Sequence, residues 1–172
     1  RERVFHFLDP DSPFLEISGL AAYKSEYPIG GGAFAGIGVS SGIECVIFAN
    51  DPTVLAGAMH FYSVKKWMRC MQIARDCRIP FIQFVESAGG DLRPRAGAAV
   101  GGMGHFAESG RQFYEITELS KLNIPTVTVA FGTATAGGAY QPGMSDYNIF
   151  VKNQAAVALA GPPLVQMATG EI

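Results

Sequence analysis

A parallel α/β architecture is what this sequence predicts. Short β-rich runs, Ile43 to Asn50 (IECVIFAN), Phe81 to Val85 (FIQFV) and Thr126 to Phe131 (TVTVAF), alternate with longer stretches of helical period. That alternation builds a parallel sheet with helices on its faces. The runs are largely apolar, as expected of strands covered on both sides. Each is followed by a turn rich in Gly and Ala, at the strand ends where open α/β sheets place their ligands.

Arg1 to Leu8 read as a short helix with Val4, Phe5 and Leu8 on one side. Asp9-Pro10-Asp11-Ser12-Pro13 stops it, because proline lacks an N–H and restricts the residue before it. Phe14 to Ile17 suit a short strand, and a weakly patterned stretch runs through Pro28 into Gly30-Gly31-Gly32. Ala33 to Val39 and Ile43 to Asn50 flank Ser40-Ser41-Gly42, a hairpin connection. His60 to Arg78 carries a clear helical period, with Val64, Trp67, Met68, Met71 and Ala74 on one face and Lys65, Lys66, Arg69, Arg75 and Asp76 on others. After the strand FIQFV comes a Gly/Ala-rich loop from Glu86 to Gly104, then a helix from His105 to Leu122 with Phe106, Phe113, Ile116 and Leu119 inward. The strand TVTVAF leads to a small-residue turn and short helix over Gly132 to Met144. Strand-like runs at Tyr147 to Val151 and Ala156 to Ala160 follow, then a helix from Gly161.

Composition narrows the function classes. Hydrophobic residues make up 48% and charged residues 16%, too apolar for a disordered arm. A net charge of -2 is too balanced for electrostatic capture of nucleic acid. The apolar runs fall short of the ~20 residues a bilayer span needs, so no membrane role is expected. Glycine is over-used, at 21 of 172 residues, and clustered, which suggests backbone brought close to a ligand or to another backbone. Cys45, Cys70 and Cys77 match neither a zinc knuckle nor a disulfide framework and read as small buried hydrophobes. No metal is expected either, since His6, His60 and His105 lack ligand spacing. The chain opens without a Met and stops without a tail, as a segment of something longer would.

The most specific constellation is Gly132-Thr133-Ala134-Thr135-Ala136-Gly137-Gly138-Ala139-Tyr140, directly after TVTVAF. Small residues at a strand-to-helix turn leave main-chain N–H groups uncovered where the helix dipole favours negative charge. Such a turn binds a phosphate, stabilises an oxyanion, or packs helix tightly on strand, and the residues alone leave these open. It is not a P-loop, because no Gly-Lys-Ser/Thr follows, and it lacks the GxGxxG of dinucleotide folds. Similar turns stand at Ala56-Gly57-Ala58 and at Ser87-Ala88-Gly89-Gly90. No Gly-x-Ser-x-Gly elbow appears. Glu86, Asp91, Asp146 and Glu171 are candidate acids, but none forms a pair flanking a Gly-rich turn, and Asp146 suits a structural role. What remains is chemistry built mainly on main-chain donors.

At these residues the sequence resembles the carboxyltransferase (β) subunit of biotin-dependent acyl-CoA carboxylases. The runs ERVFHFLDPDSPFLE, GIGVSSGIECVIFANDPTV, VKKWMR, TATAGGAYQPGMSD and LAGPPLVQMATGE carry the likeness in the right order. AGGAYQPGMSD and LAGPPLV sit nearer the methylcrotonyl- and long-chain-type branches than the propionyl type. The resemblance implies a crotonase (ClpP-like) fold, with residues 1–172 as part of the N-terminal carboxyltransferase domain and the C-terminal domain outside this chain. It implies transfer of a carboxyl group from carboxybiotin, held on a biotin carboxylase/biotin carrier (α) subunit or domain, to an acyl-CoA. It further implies a homo-hexamer of full-length β subunits, and the cytoplasm or, in a eukaryote, the mitochondrial matrix. The oxyanion role falls on the amides of Gly137 and Gly138, beside Ala136. Ala56 and Gly57 match the fold's other small-residue turn, and Gly89 and Gly90 the turn between. Lys65 and Lys66 are placed to meet CoA phosphates or to form a solvated helix face.

Two departures stand out: Ser87-Ala88-Gly89-Gly90 where the family reads Ser-Gly-Gly-Ala, and Ala56 where Gly is commoner. The Gly/Ala-rich stretch Leu92 to Gly104 lies where family members differ around the acyl pocket, which leaves the acyl chain open. Because that family completes its biotin pocket with a second domain, residues 1–172 alone are expected to show no turnover. The competing readings are a crotonase-type CoA hydratase, isomerase or decarboxylase, which needs a placed acid, and a catalytically silent assembly subunit.

Overall fold

The hairpin and the strand–helix alternation organise the fold, as seen in a computed structural model that describes residues 1–91, 93 and 103–170. In chain order the elements are α1 (Glu2–Phe7), β1 (Leu15–Glu16), β2 (Ala33–Ser40), β3 (Ile43–Asn50), α2 (Phe61–Cys77), β4 (Phe81–Ser87) and α3 (Met103–Lys121). There follow β5 (Thr126–Thr135), α4 (Tyr140–Gly143), β6 (Tyr147–Phe150), β7 (Ala156–Ala158) and α5 (Pro162–Thr169). Tight 3-10 turns at Leu55–Gly57 and Ala136–Ala139 follow β3 and β5.

Among the described residues the sheet runs β1-β2-β3-β4-β5-β6, with β7 pairing to the far end of β5. β1, β2 and β3 are antiparallel neighbours, whereas β3 to β6 pair in parallel. The parallel α/β expectation therefore holds from β3 onward, behind an antiparallel hairpin. β5 is longer than expected: Gly132 to Thr135 continue the strand because Thr133–Thr135 pair with Ala156–Ala158. The small-residue turn thus begins only at Ala136.

One core lies between the sheet and α2 with α3. Val46, Phe48 and Phe81 meet Trp67, Cys70, Met71, Ala74, Ile116 and Leu119 there. The opposite face packs Ile47, Ala49, Ile82 and Phe84 under Val4 and Leu8. Phe5, expected on the inner side of α1, is half exposed and rests its ring on Phe14 and Phe34 at the rim. α2 ends at Arg78 in a left-handed cap, its N–H on the Ala74 and Arg75 carbonyls. Cys45 and Cys70 are buried, which pushes their thiols up to about 11 and about 12, whereas Cys77 is exposed, contrary to expectation. No described helix is long and apolar enough to cross a membrane.

Candidate functional site

The three Gly/Ala-rich turns meet at the carboxyl edge of β3, β4 and β5. The last residues of β4 form the wedge between the other two. On one side the Ala88 N–H donates to the Ala56 carbonyl at 3.0 Å, and Gly57 comes so close that a β-carbon there would stand 1.9 Å from the Glu86 carbonyl oxygen. On the other, a β-carbon on Gly138 would meet the Ser87 side chain at 2.9 Å, and one on Gly89 the Thr135 carbonyl oxygen at 2.9 Å. Gly90 is tied in by a parallel bridge to Met59, whose N–H donates to the Gly89 carbonyl at 2.7 Å. Ala56, Gly57, Gly89, Gly90, Ala136, Gly137 and Gly138 therefore form one patch.

The two outer turns differ in which amides they present. In the Leu55–Gly57 turn the Gly57 N–H is donated to the Val54 carbonyl at 2.9 Å, so Gly57 serves the close approach to β4, and exposed Ala56 remains the candidate donor. Leu55, Ala56 and Gly57 are all left-handed, at φ 52°, 51° and 71°. That conformation disfavours an L-residue by roughly 1–2 kcal/mol and accumulates at functional turns. Ala136 repeats it at φ 50°. In the Ala136–Ala139 turn the first amides, those of Ala136 and Gly137, have no acceptor within the turn. Gly137 is exposed, with nothing within 4 Å of where a β-carbon would stand.

The two lysines separate. Lys65 is exposed, its ammonium 4.2 Å from the centre of the Phe61 ring. Lys66 is buried at 1% exposure, donating to the Ala33 carbonyl at 2.8 Å and the Gly30 carbonyl at 3.3 Å. Burial holds its pKa below the ordinary lysine range. The expectation that Lys66 meets CoA phosphates or joins a solvated face is corrected. It is an internal clamp on the Gly30–Gly32 bend, because one residue along a helix turns the side chain by about 100°.

The candidate acids are committed elsewhere. Glu86 pairs with Arg3 at 2.7 Å and lies over Gly132. Asp146 is structural, as expected: it accepts from the Thr126 N–H and hydroxyl at 2.8 Å and from Ser120. Burial pushes its carboxyl upward, but these hydrogen bonds hold it below the usual range. Asp91 accepts from the Tyr27 hydroxyl at 2.7 Å and from Arg93, which keeps it ionised. Tyr27 stacks on His60 with ring centres 3.7 Å apart. The bulk of Leu92 to Gly104, the Phe106 side chain and Glu171 lie outside the described residues. Among those described, no group of three His, Cys, Asp or Glu side chains can hold a metal ion.

Sequence reasoning missed the buried polar side chains beneath the patch, Gln83 and Thr128, both wholly inaccessible. The available signal was a polar residue inside each apolar strand, FIQFV and TVTVAF, which must find a partner when buried.

The profile of the carboxyl transferase domain family matches residues 1–172. The chain is 48% identical, over 99% of its length, to a probable biotin-dependent acyl-coenzyme A carboxylase beta2 subunit of Mycobacterium tuberculosis, 31% of which it covers. It is 46% identical, over 100% of its length, to the biotin-dependent 3-methylcrotonyl-coenzyme A carboxylase beta1 subunit of the same organism, covering 32% of that protein. Among solved structures, the beta subunit of Pseudomonas aeruginosa (P. aeruginosa) geranyl-CoA carboxylase is similar over 100% of the chain and 31% of its own, with TM-score 0.86 and 41% identity. The chain thus spans about a third of the length of the relatives it matches.

Proposed function

We propose, for a chain that belongs to the carboxyl transferase domain family, that it forms part of the N-terminal crotonase-like domain of an acyl-CoA carboxylase β subunit and holds the thioester of the acyl-CoA. The observation that carries this reading is the convergence of main-chain amides, at Ala56 and at Ala136-Gly137, on a patch where the described carboxylates, Glu86 and Asp91, are engaged elsewhere. Such a site stabilises negative charge on oxygen without a titrating side chain.

Carboxybiotin, presented by a partner α subunit or domain, supplies both the carboxyl group and, once that group has left, the base for the substrate carbon. The chain's own residues receive the consequence. As the proton leaves the carbon, charge moves to the thioester oxygen, where the Gly137 amide and the Ala56 amide from the opposite turn hold it. Gly137 carries the larger share, since its amide precedes the first one that donates within the turn and open space lies above it. Gly138, also expected to take the oxyanion role, is buried against Ser87 and is here assigned that close contact instead. Removing one such donor lowers kcat by about 10²–10³-fold.

The relatives' names narrow the substrate class. Methylcrotonyl and geranyl thioesters are both 3-methyl-2-enoyl compounds, and we place this chain's substrate in that class, deprotonated at the vinylogous carbon. A hydratase reading is less well supported, because it needs a free acid at the patch. Exposed Tyr147, Ile149 and Phe150 on β6, with Val157 and Leu159 around β7, favour further polypeptide against this face. That agrees with a homo-hexamer of full-length β subunits, in a cytoplasmic or mitochondrial setting.

The test is reconstitution. The full-length protein, combined with a biotinylated carrier subunit, is expected to carboxylate 3-methyl-2-enoyl-CoAs in a bicarbonate-dependent manner, in preference to acetyl- or propionyl-CoA. Water addition to an enoyl-CoA with no bicarbonate dependence would overturn the assignment.

A further inference from the structure

Glycines hold no position of their own, so something beneath the Ala136–Ala139 turn must fix it. The structure offers a chain of buried polar side chains. The Trp67 indole N–H, on α2, donates to Gln83 Oε1 on β4 at 2.9 Å. An indole can only donate, so this contact fixes which way the Gln83 amide faces. Its NH₂ is thereby turned to two hydroxyls, Thr128 Oγ1 on β5 and Ser145 Oγ after α4, each at 3.3 Å. The hydroxyls bond each other at 2.6 Å. Ser145 donates to the Gln141 carbonyl at 2.8 Å, and Thr128 reaches the same oxygen at 3.3 Å.

Every link is buried or nearly so. Trp67 is 1% exposed, and Gln83, Thr128 and Gln141 are 0% exposed. The chain ends on the main chain of α4, whose first residue, Tyr140, directly follows the turn. It begins on α2, the helix that follows the Leu55–Gly57 turn. It therefore links the helices that follow the two amide-bearing turns, through β4 and β5. A buried network whose members share their hydrogen bonds resists displacement, because moving one member strands the others.

Resting on the thioester-binding role given above, we propose that Gln83, Thr128 and Ser145 are positioning residues. They set the depth of α4 and so the separation of the Ala56 and Gly137 amides, without touching substrate themselves. They act on the step in which charge appears on the thioester oxygen, so their loss lowers kcat more than it raises the KM for acyl-CoA.

The test uses the full-length protein reconstituted with its biotinylated carrier. Thr128→Val removes the hydroxyl and keeps the shape; Thr128→Ser keeps the hydroxyl and loses a methyl group. Ser145→Ala, at a less buried position, repeats the test should Thr128→Val fail to fold. Thr128→Val and Ser145→Ala are each expected to lower kcat about tenfold, with the KM for acyl-CoA within roughly twofold of wild type and Thr128→Ser near wild type. Amide hydrogen exchange over residues 136–144 is expected to quicken in the Val and Ala variants and not in Ser. Unchanged kcat and exchange in both hydroxyl-deletion variants would overturn the proposal, as would Thr128→Ser losing as much as Thr128→Val. A wild-type complex that carboxylates nothing would instead overturn the functional reading. The exchange comparison, which needs no turnover, would then decide the positioning role by itself.

Discussion

At Gly57 a β-carbon would stand 1.9 Å from the Glu86 carbonyl oxygen, on a backbone already at φ +71°. Both facts forbid a side chain, so Gly57→Ala should destabilise the fold by about 2–3 kcal/mol, read from the shift in urea midpoint. Gly137 has neither constraint: its β-carbon would meet open space and its φ is not left-handed. Gly137→Ala should therefore leave Tm unchanged while lowering kcat, because the methyl group stands where the thioester approaches. Loss of Tm with normal kcat would make the glycine structural. Lys66→Met removes an ammonium that donates to one buried and one half-buried carbonyl. It should cost about 2–4 kcal/mol of stability and leave the KM for CoA esters unaltered. Neighbouring lysines are chemically alike on the page of the sequence. Only the helix register against the Gly30–Gly32 bend, a long-range contact, makes one of them internal.

At the level of elements, β3, β4, β5, α2 and α3 were legible because period and punctuation agree at each. The reach of β5 to Thr135 was not, since Gly132 and Ala134 are poor strand formers that offset Thr133 and Thr135; β7 supplies the pairing. The start of α2 hid a second feature. His60, which precedes it, is 4% exposed, stacked on Tyr27, and its ring meets the Gly31 main chain. Burial holds its pKa below the ordinary range, Asp91 and Glu26 opposing and Arg93 assisting. The folded state thus refuses a proton that the unfolded chain accepts near pH 6.5. Stability should fall as pH drops from there toward the depressed folded value, and level off below it. His60→Phe keeps the stack and removes the titration. Urea unfolding of this variant at several pH values should show a flatter acid limb. An unchanged slope would assign the acid sensitivity to other groups.

For the molecule as a whole, the convergence of three small-residue turns was legible as a pattern, because consecutive parallel strands must bring their carboxyl ends together. Which amides stay uncovered was not, since the Gly57 N–H is lost to Val54 by a local turn that no spacing rule reveals. An exposed apolar strip runs along β6, β7 and α5, with Met167 83% exposed. Residues 1–172 in isolation should show no carboxyl transfer, whereas the full-length protein with its carrier should. The most direct measurement is to replace the amide of Gly137 by an ester in that full-length complex, which deletes one N–H and leaves the shape intact. A fall in kcat of about 10²–10³-fold is expected, with the KM for acyl-CoA and Tm little changed. Wild-type turnover from the ester-bearing protein would contradict it.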